Sequence, residues 1–155
     1  MNEFIEKPTG ICIHHSKTKD TETVSTTAIR RVQMAEMGFD EIAYTMIIED
    51  VAGEMRIYTG RPSFLQGAHE KTLNRSHLSI CLIGDYDKKV PEDRKIEAVI
   101  RGCLSLMLMN PQIRPENVTF HNEHNPKSCP GKLFPREGFL LGLHDRYAEM
   151  LEGKL

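Results

Sequence analysis

Apolar residues along the chain recur in two spacings, and these predict alternating strands and helices. Runs rich in β-branched residues over 10–15 and 78–83 are typical of buried strands. Residues 42–49 and 54–59 predict a hairpin of two strands joined by a turn at Gly53.

Three longer stretches carry apolar residues three or four positions apart, the spacing of helices that bury one face. The first begins after Ser25 and ends near Met37, before Gly38. The second opens at residues 91–93, and the third covers 139–151. With a short strand before residue 120, the order is β-α-β-β-β-α-β-α. This order predicts an α/β fold with a mixed central β-sheet flanked by helices.

Size and charge exclude several classes of protein. The 155 residues suffice for one domain, which we expect to span 1–155. A net charge of -2 without a basic stripe argues against a nucleic-acid partner, and no apolar run is long enough to span a membrane. The N-terminal residues Glu3, Glu6 and Lys7 do not fit a signal peptide, so we expect synthesis in the cytoplasm, and we expect a monomer.

The cysteines, at positions 12, 81, 103 and 129, form no C-x-x-C pair, so no disulfide framework is expected. Cys81 and Cys103 lie in apolar runs and are expected to be buried. Cys129 instead lies in a polar loop, where burial alone gives no reason for it.

Imidazole and thiol groups, the side chains that zinc prefers, cluster in two distant parts of the chain. His121 and Cys129 lie in one short loop, and His14 lies at the end of the first predicted strand. These three are candidate zinc ligands, because a catalytic zinc site typically has three protein ligands and one open position.

Two other residues remain open as ligands. Side chains alternate along a strand, so Cys12 shares the face of His14, whereas His15 lies on the opposite face and is not expected to bind. His124 lies three residues after His121 and is an alternative to it. Spacing alone does not separate a metal site from ordinary structural histidines.

Two further polar residues have a chemical and a structural interpretation. Lys127, two residues before Cys129, would neutralise negative charge that develops beside a metal, or it is a solvated loop lysine. Tyr44, in a predicted strand, is either functional or a packing residue with a solvated hydroxyl.

The chain resembles the zinc-dependent N-acetylmuramoyl-L-alanine amidases that share a fold with peptidoglycan recognition proteins, above all the small single-domain phage endolysins. Five patches match in order over nearly the whole chain: 11–16 (ICIHHS), 43–48 (AYTMII), 56–62 (RIYTGRP) with 67–69 (GAH), 74–84 (NRSHLSICLIG) and 121–131 (HNEHNPKSCPG). The chain departs from the family at Ala43 and Thr45, where glycine and histidine are usual, and it has no tryptophan.

The resemblance implies one zinc ion on His14, His121 and Cys129, with Tyr44 and Lys127 as the catalytic pair. It also implies that His69 lines the substrate cleft. The reaction implied is hydrolysis of the amide between N-acetylmuramic acid and the L-alanine of the peptidoglycan stem peptide, as in cell-wall degradation by an endolysin.

Three different functions stay open beside this one. The first is a module that binds peptidoglycan without cutting it, although non-catalytic relatives commonly lack the cysteine ligand. The second is a cytoplasmic amidase that recycles soluble muropeptides, although such enzymes usually have an aspartate in place of Cys129. The third is a zinc hydrolase that acts on another amide.

Overall fold

A five-stranded mixed sheet forms the centre of the part of the chain that the computed structural model describes, residues 2–4, 6–19 and 24–154. Its strands are β1 (Gly10–His15), β2 (Met46–Val51), β3 (Glu54–Thr59), β4 (His77–Leu82) and β5 (Val118–Phe120). The spatial order is β3-β2-β4-β1-β5, and only the β2–β3 hairpin is antiparallel among these pairs. The predicted mixed sheet is confirmed.

Alternation along β1 divides its side chains between the two faces of the sheet. Ile11 and Ile13 are fully buried in the main core, together with the alternating residues Leu78 and Ile80 of β4. His14 is therefore directed to the other face, beyond the core that the helices cover.

The helices of the described residues are α1 (Thr26–Arg31), α2 (Asp93–Met109) and α3 (Arg136–Leu151). The Ser25 hydroxyl caps α1 as predicted, because it accepts the Ala28 amide at 3.1 Å. α2 packs against β2, β3 and β4, and α3 packs on α2. Cys81 and Cys103 are completely buried, which confirms the sequence-based prediction.

Several boundaries differ from the sequence-based prediction. β2 begins at Met46, four residues later than expected, because the segment before it forms no ladder. Gln33 accepts the Ala43 amide at 2.8 Å, and the Arg61 guanidinium donates to the Ile42 carbonyl at 3.2 Å. Ile42 is therefore as buried as a strand residue, although it lies in a loop.

Helical boundaries differ as well. Regular α1 ends at Arg31, and a wider helical turn continues over Val32–Glu36. α3 begins at Arg136, directly after Pro135, rather than at residue 139. None of the described helices combines the length and hydropathy needed to cross a membrane. The single domain and the monomeric state stay predictions.

Candidate active site

His14 lies at the end of β1, the strand that is paired with β4 on one side and β5 on the other. Its side chain is buried, with 1% exposure. The His14 ring centroid lies 4.4 Å from that of His121 and 5.2 Å from that of Tyr44. The C-terminal end of β1 therefore brings together groups from three distant parts of the chain.

His121 begins the turn that follows β5. The Glu123 carboxylate closes this turn by accepting the Phe120 amide at 3.1 Å. The Asn122 amide donates to the Cys129 carbonyl at 2.7 Å, so the segment between them folds back on itself. This local hydrogen bonding returns the cysteine to the end of the sheet where His121 lies.

The chain can leave Cys129 in this direction because residue 131 is glycine. Gly131 has a φ of 117°, and a Cβ there would lie 2.5 Å from the backbone of Tyr86. A residue with a side chain would be strained at this φ and would also clash with the backbone of Tyr86. The glycine of the Cys-Pro-Gly sequence thus helps to place the thiol.

The three predicted metal ligands converge. Cys129 Sγ lies 3.6 Å from His14 Nδ1. One ligand atom from each of His14, His121 and Cys129 lies within 4.8 Å of the other two. An ion that bonds to all three atoms can therefore fit between them.

Hydrogen bonds on the far side of His14 leave its Nδ1 available to a metal. His69 Nε2 lies 3.2 Å from the His77 carbonyl oxygen, which only accepts, so the proton of a neutral His69 ring is on Nε2. Burial lowers the pKa of His69 to about 4, which keeps this ring neutral. His69 Nδ1 then accepts from His14 Nε2 at 3.0 Å. Since burial also keeps His14 neutral by lowering its pKa, His14 Nδ1 carries a lone pair that faces the Cys129 thiol at 3.6 Å.

A different partner orients the His121 ring, so that one of its nitrogens is also left available to a metal. His121 Nε2 lies 2.5 Å from the Asn125 side-chain nitrogen and 2.9 Å from a Glu70 carboxylate oxygen. Because a carboxylate only accepts, we assign the proton of a neutral His121 ring to Nε2. Although burial opposes it, hydrogen bonds from Asn125 and His121 lower the pKa of Glu70 to about 2, so the carboxylate is charged. His121 Nδ1 is buried and has no hydrogen-bond partner. An orphaned nitrogen that accepts only is what a metal ligand requires.

The third donor is a thiol that a metal would have to ionise. Burial raises the pKa of Cys129 to about 12, although the His15 amide donates to its sulfur at 3.3 Å. Two imidazole nitrogens and one sulfur, with a fourth side facing a cavity, form a donor set that suits catalytic zinc.

A second group of possible ligands shares His14. Atoms of Cys12, His14 and His69 also lie within 4.8 Å of one another. However, Cys12 is completely buried, and burial raises the pKa of its thiol far above the usual range. In addition, the His14–His69 hydrogen bond already uses one nitrogen of each ring. This group offers no open position for a substrate.

The neighbouring histidines His15 and His124 are directed away from the candidate ligands. His124 is exposed, and its Nε2 lies 2.8 Å from the Thr119 hydroxyl. His15 is directed toward the main core, where its Nδ1 accepts the Tyr86 amide at 3.1 Å. The structure therefore brings neither ring to the group formed by the three candidate ligands.

Tyr44 lies in the loop before β2, with its backbone held from both sides. The Arg61 amide donates to the Tyr44 carbonyl at 2.8 Å, and a Cβ on Gly60 would lie 2.3 Å from that oxygen. Burial, together with the thiols of Cys81 and Cys129, raises the pKa of the Tyr44 hydroxyl well above its usual value. The hydroxyl therefore keeps its proton and remains a hydrogen-bond donor.

A cavity of about 480 Å³ opens beside the three candidate ligands. Exposed Lys127 lies on its wall, as Tyr44 does, so both predicted catalytic residues share one cavity with the ligands. Lys17 and Lys132 add positive charge to the same wall, and Asp87 adds one negative charge. The cavity thus suits a substrate that carries carboxylates.

His69, which the resemblance places at the substrate cleft, contacts the far side of His14 in the structure. It does not line this cavity, and it lies behind His14 as a hydrogen-bond acceptor. The predicted role in the substrate cleft stays a prediction, and the contact in the structure is support of a candidate ligand.

Sequence reasoning missed Glu70 and Asn125, which contact the far side of His121. The Glu70 carboxylate accepts from the Asn125 side-chain amide at 2.8 Å. Glu70 has no periodic or motif signal, and Asn125 lies inside the matching patch 121–131 but has no metal-binding side chain that would single it out. The one available clue is the position of Glu70 directly after His69.

Comparison with protein families adds to this geometry. Residues 5–132 match the family model described as N-acetylmuramoyl-L-alanine amidase. The chain belongs to this family. Its mixed sheet with flanking helices is the fold of solved family members, including the N-acetylmuramoyl-L-alanine amidase LysC from Clostridium intestinale. That structure has a TM-score of 0.74 and 25% identity, over 88% of this chain and 85% of LysC.

Related sequences come from two kinds of family member. The endolysin of Escherichia phage T7 is 28% identical over 127 residues, which are 81% of this chain and 82% of the endolysin. Peptidoglycan-recognition protein 1 of Holotrichia diomphalia is 28% identical over 93 residues, which are 57% of this chain and 46% of that protein.

Proposed function

We propose that this family member is a zinc-dependent hydrolase of the amide between N-acetylmuramic acid and the L-alanine of the stem peptide in peptidoglycan. The observation that carries the proposal is the convergence of one ligand atom each from His14, His121 and Cys129 at the wall of an open cavity. The endolysin relative supports a cell-wall substrate.

Zinc held by these three residues would supply Lewis acidity, which activates water near neutral pH and polarises a substrate carbonyl. The protein's own residues then act on the reacting amide. The Tyr44 hydroxyl, kept protonated by burial, donates a hydrogen bond to the attacking water or to the developing oxyanion. The Lys127 ammonium adds positive charge on the same side.

His69 acts one step further from the substrate. By accepting from His14 Nε2, it holds the ring so that Nδ1 is directed toward the metal position. A histidine that binds zinc usually donates its other ring N–H to an acceptor that orients it, and His69 supplies that acceptor for His14. The role we propose for His69 is therefore support of a ligand.

A binding module without activity is the second candidate, because peptidoglycan-recognition proteins are among the relatives. The enzyme is favoured by the donor set, which includes the thiol of Cys129 beside protonated Tyr44. Binding of a sugar or peptide alone gives no reason for two imidazoles and a thiol that converge on one point.

Digestion of purified peptidoglycan, followed by mass spectrometry of the products, tests the proposal. We expect free stem peptides that begin with L-alanine, loss of this release with a chelator, and recovery after zinc is added. Rates on polymeric peptidoglycan and on soluble anhydro-muropeptides separate an endolysin-like from a recycling activity. Binding of peptidoglycan without release, in a zinc-loaded sample, would identify the binding module instead.

A further inference from the structure

Glu70 lies in the connection between β3 and β4, in a position that its own backbone fixes. The Asn74 side-chain oxygen accepts the His69 amide at 2.8 Å and the Glu70 amide at 3.0 Å. The Glu70 carbonyl in turn accepts the Asn74 amide at 2.8 Å. The side chain therefore starts from a rigid turn.

Both carboxylate oxygens of Glu70 are occupied. Oε2 accepts from His121 Nε2 at 2.9 Å and from the Asn125 side-chain amide at 2.8 Å. Oε1 accepts from the Thr72 amide at 3.3 Å. Only 12% of the side chain is exposed. Because it faces the nitrogen of His121 opposite the metal position, Glu70 is not itself placed as a ligand.

Asn125 extends this contact to the loop that carries the catalytic lysine. Its side-chain nitrogen donates to Glu70, while its side-chain oxygen accepts the Lys127 amide at 2.9 Å. One carboxylate is thus connected to a candidate metal ligand directly and to the backbone of Lys127 through a single side chain.

We propose that Glu70 is a positioning residue that couples the metal site to the catalytic lysine. Its carboxylate fixes the proton of His121 on Nε2, so that Nδ1 is directed at the metal, and through Asn125 it holds the Lys127 backbone. The inference rests on the proposed function and adds a role that neither the ligands nor the cavity wall supplies.

Substitution Glu70→Gln tests the coupling with little change of shape. A glutamine side chain keeps an accepting oxygen beside His121 and Asn125 only if its NH₂ group replaces Oε1 and faces the Thr72 amide, which is also a donor. It also removes the negative charge that strengthens the hydrogen bond from His121. We expect zinc affinity to fall by about 10–100-fold, the usual cost of losing a partner of a metal-bound histidine. Zinc affinity is measured by competition with a chromophoric chelator, and exposed Glu116→Gln is the charge-matched control.

Asn125→Ala separates the connection of Glu70 to His121 from its connection to Lys127. The Glu70–His121 contact remains, so zinc affinity should stay within about threefold of the parent. The Lys127 backbone loses its hydrogen bond, and kcat at saturating zinc should fall by about tenfold or more with a smaller change in KM. A residue with only a structural role would not divide the two readouts in this way.

The protonation of His121 gives a test that needs no variant. Nitrogen-15 NMR of the metal-free parent should show the His121 proton on Nε2, and Glu70→Gln should reduce this preference. A neutral His121 ring in the parent with its proton on Nδ1 and none on Nε2 would overturn the inference even if Glu70→Gln failed to fold.

Failure of the inference differs from failure of the proposed function. A parent that binds no zinc would overturn both. A parent that binds zinc and releases stem peptides, while Glu70→Gln matches its zinc affinity and kcat within about twofold, would overturn only the role of Glu70.

Discussion

Replacement of Cys129 by serine tests the candidate metal site in two ways, by the number of protons released when zinc binds and by the zinc affinity. Burial raises the pKa of this thiol to about 12, so it is protonated without metal at pH 7.5. The pKa of Cys129 lies about 4.5 units above pH 7.5, so forming the thiolate at that pH costs about 6 kcal/mol. Zinc binding has to supply this free energy and to release the proton.

The sign of the pH dependence follows from the raised pKa. Below pH 12, each rise of one pH unit lowers the free-energy cost of ionising Cys129. Loss of this proton therefore makes zinc affinity rise about tenfold per pH unit. The range 7.5–9 is suitable, because imidazoles, with an ordinary pKa of about 6.5, have lost their protons there. The serine hydroxyl stays protonated and is a poor zinc ligand.

Calorimetric titration with zinc in buffers of different ionisation enthalpy counts the released protons. We expect the parent to release about one proton more per ion than Cys129→Ser, since solvent-derived protons are common to both. Loss of a ligand should weaken zinc binding by more than about 100-fold, beyond the cost typical of outer partners.

Cys12→Ser is the matched control, because Cys12 belongs to the other possible ligand group. It should keep the parental proton count and affinity. Equal proton release by the parent and Cys129→Ser would refute the reasoning, and a loss confined to Cys12→Ser would move the metal to the buried group.

Three further substitutions test separate parts of the account. Lys127→Ala should keep its zinc but lose on the order of 100-fold in kcat on peptidoglycan, whereas Lys71→Ala, an exposed lysine outside the cavity wall, should match the parent. His69→Ala removes the partner of the first ligand and should weaken zinc binding by about 10–100-fold in calorimetry; unchanged affinity would contradict its supporting role. Gly131→Ala should lower the free energy of unfolding in urea by about 1–3 kcal/mol, because residue 131 has a φ of 117° and little space. Gly138→Ala, with open space inside α3, should instead raise it by about 0.5–1 kcal/mol.

Much of the sheet could be predicted because alternation is a local property of the sequence. β1 has the predicted bounds, and its alternation places Ile13 in the core and His14 on the other face. β2 could not be placed as well, because buried Ile42 has the composition of a strand residue and is held by the distant side chain of Arg61. Contacts between residues far apart in sequence leave no periodic signal.

The same distinction applies to the site. The convergence of His14, His121 and Cys129 could be predicted because imidazole and thiol groups are unusual at these positions and match a family pattern. Glu70 could not be predicted, since a single acidic residue in a loop is ordinary until the fold brings it 2.9 Å from His121. The position of His69 behind His14 likewise depends on two loops that meet only in three dimensions.

Anomalous diffraction at the zinc edge, from crystals of the zinc-loaded protein, tests the central claim most directly. The account predicts one peak at about 2.0–2.3 Å from His14 Nδ1, His121 Nδ1 and Cys129 Sγ. A crystal without a zinc peak there, or with the ion on Cys12 and His69, would contradict it.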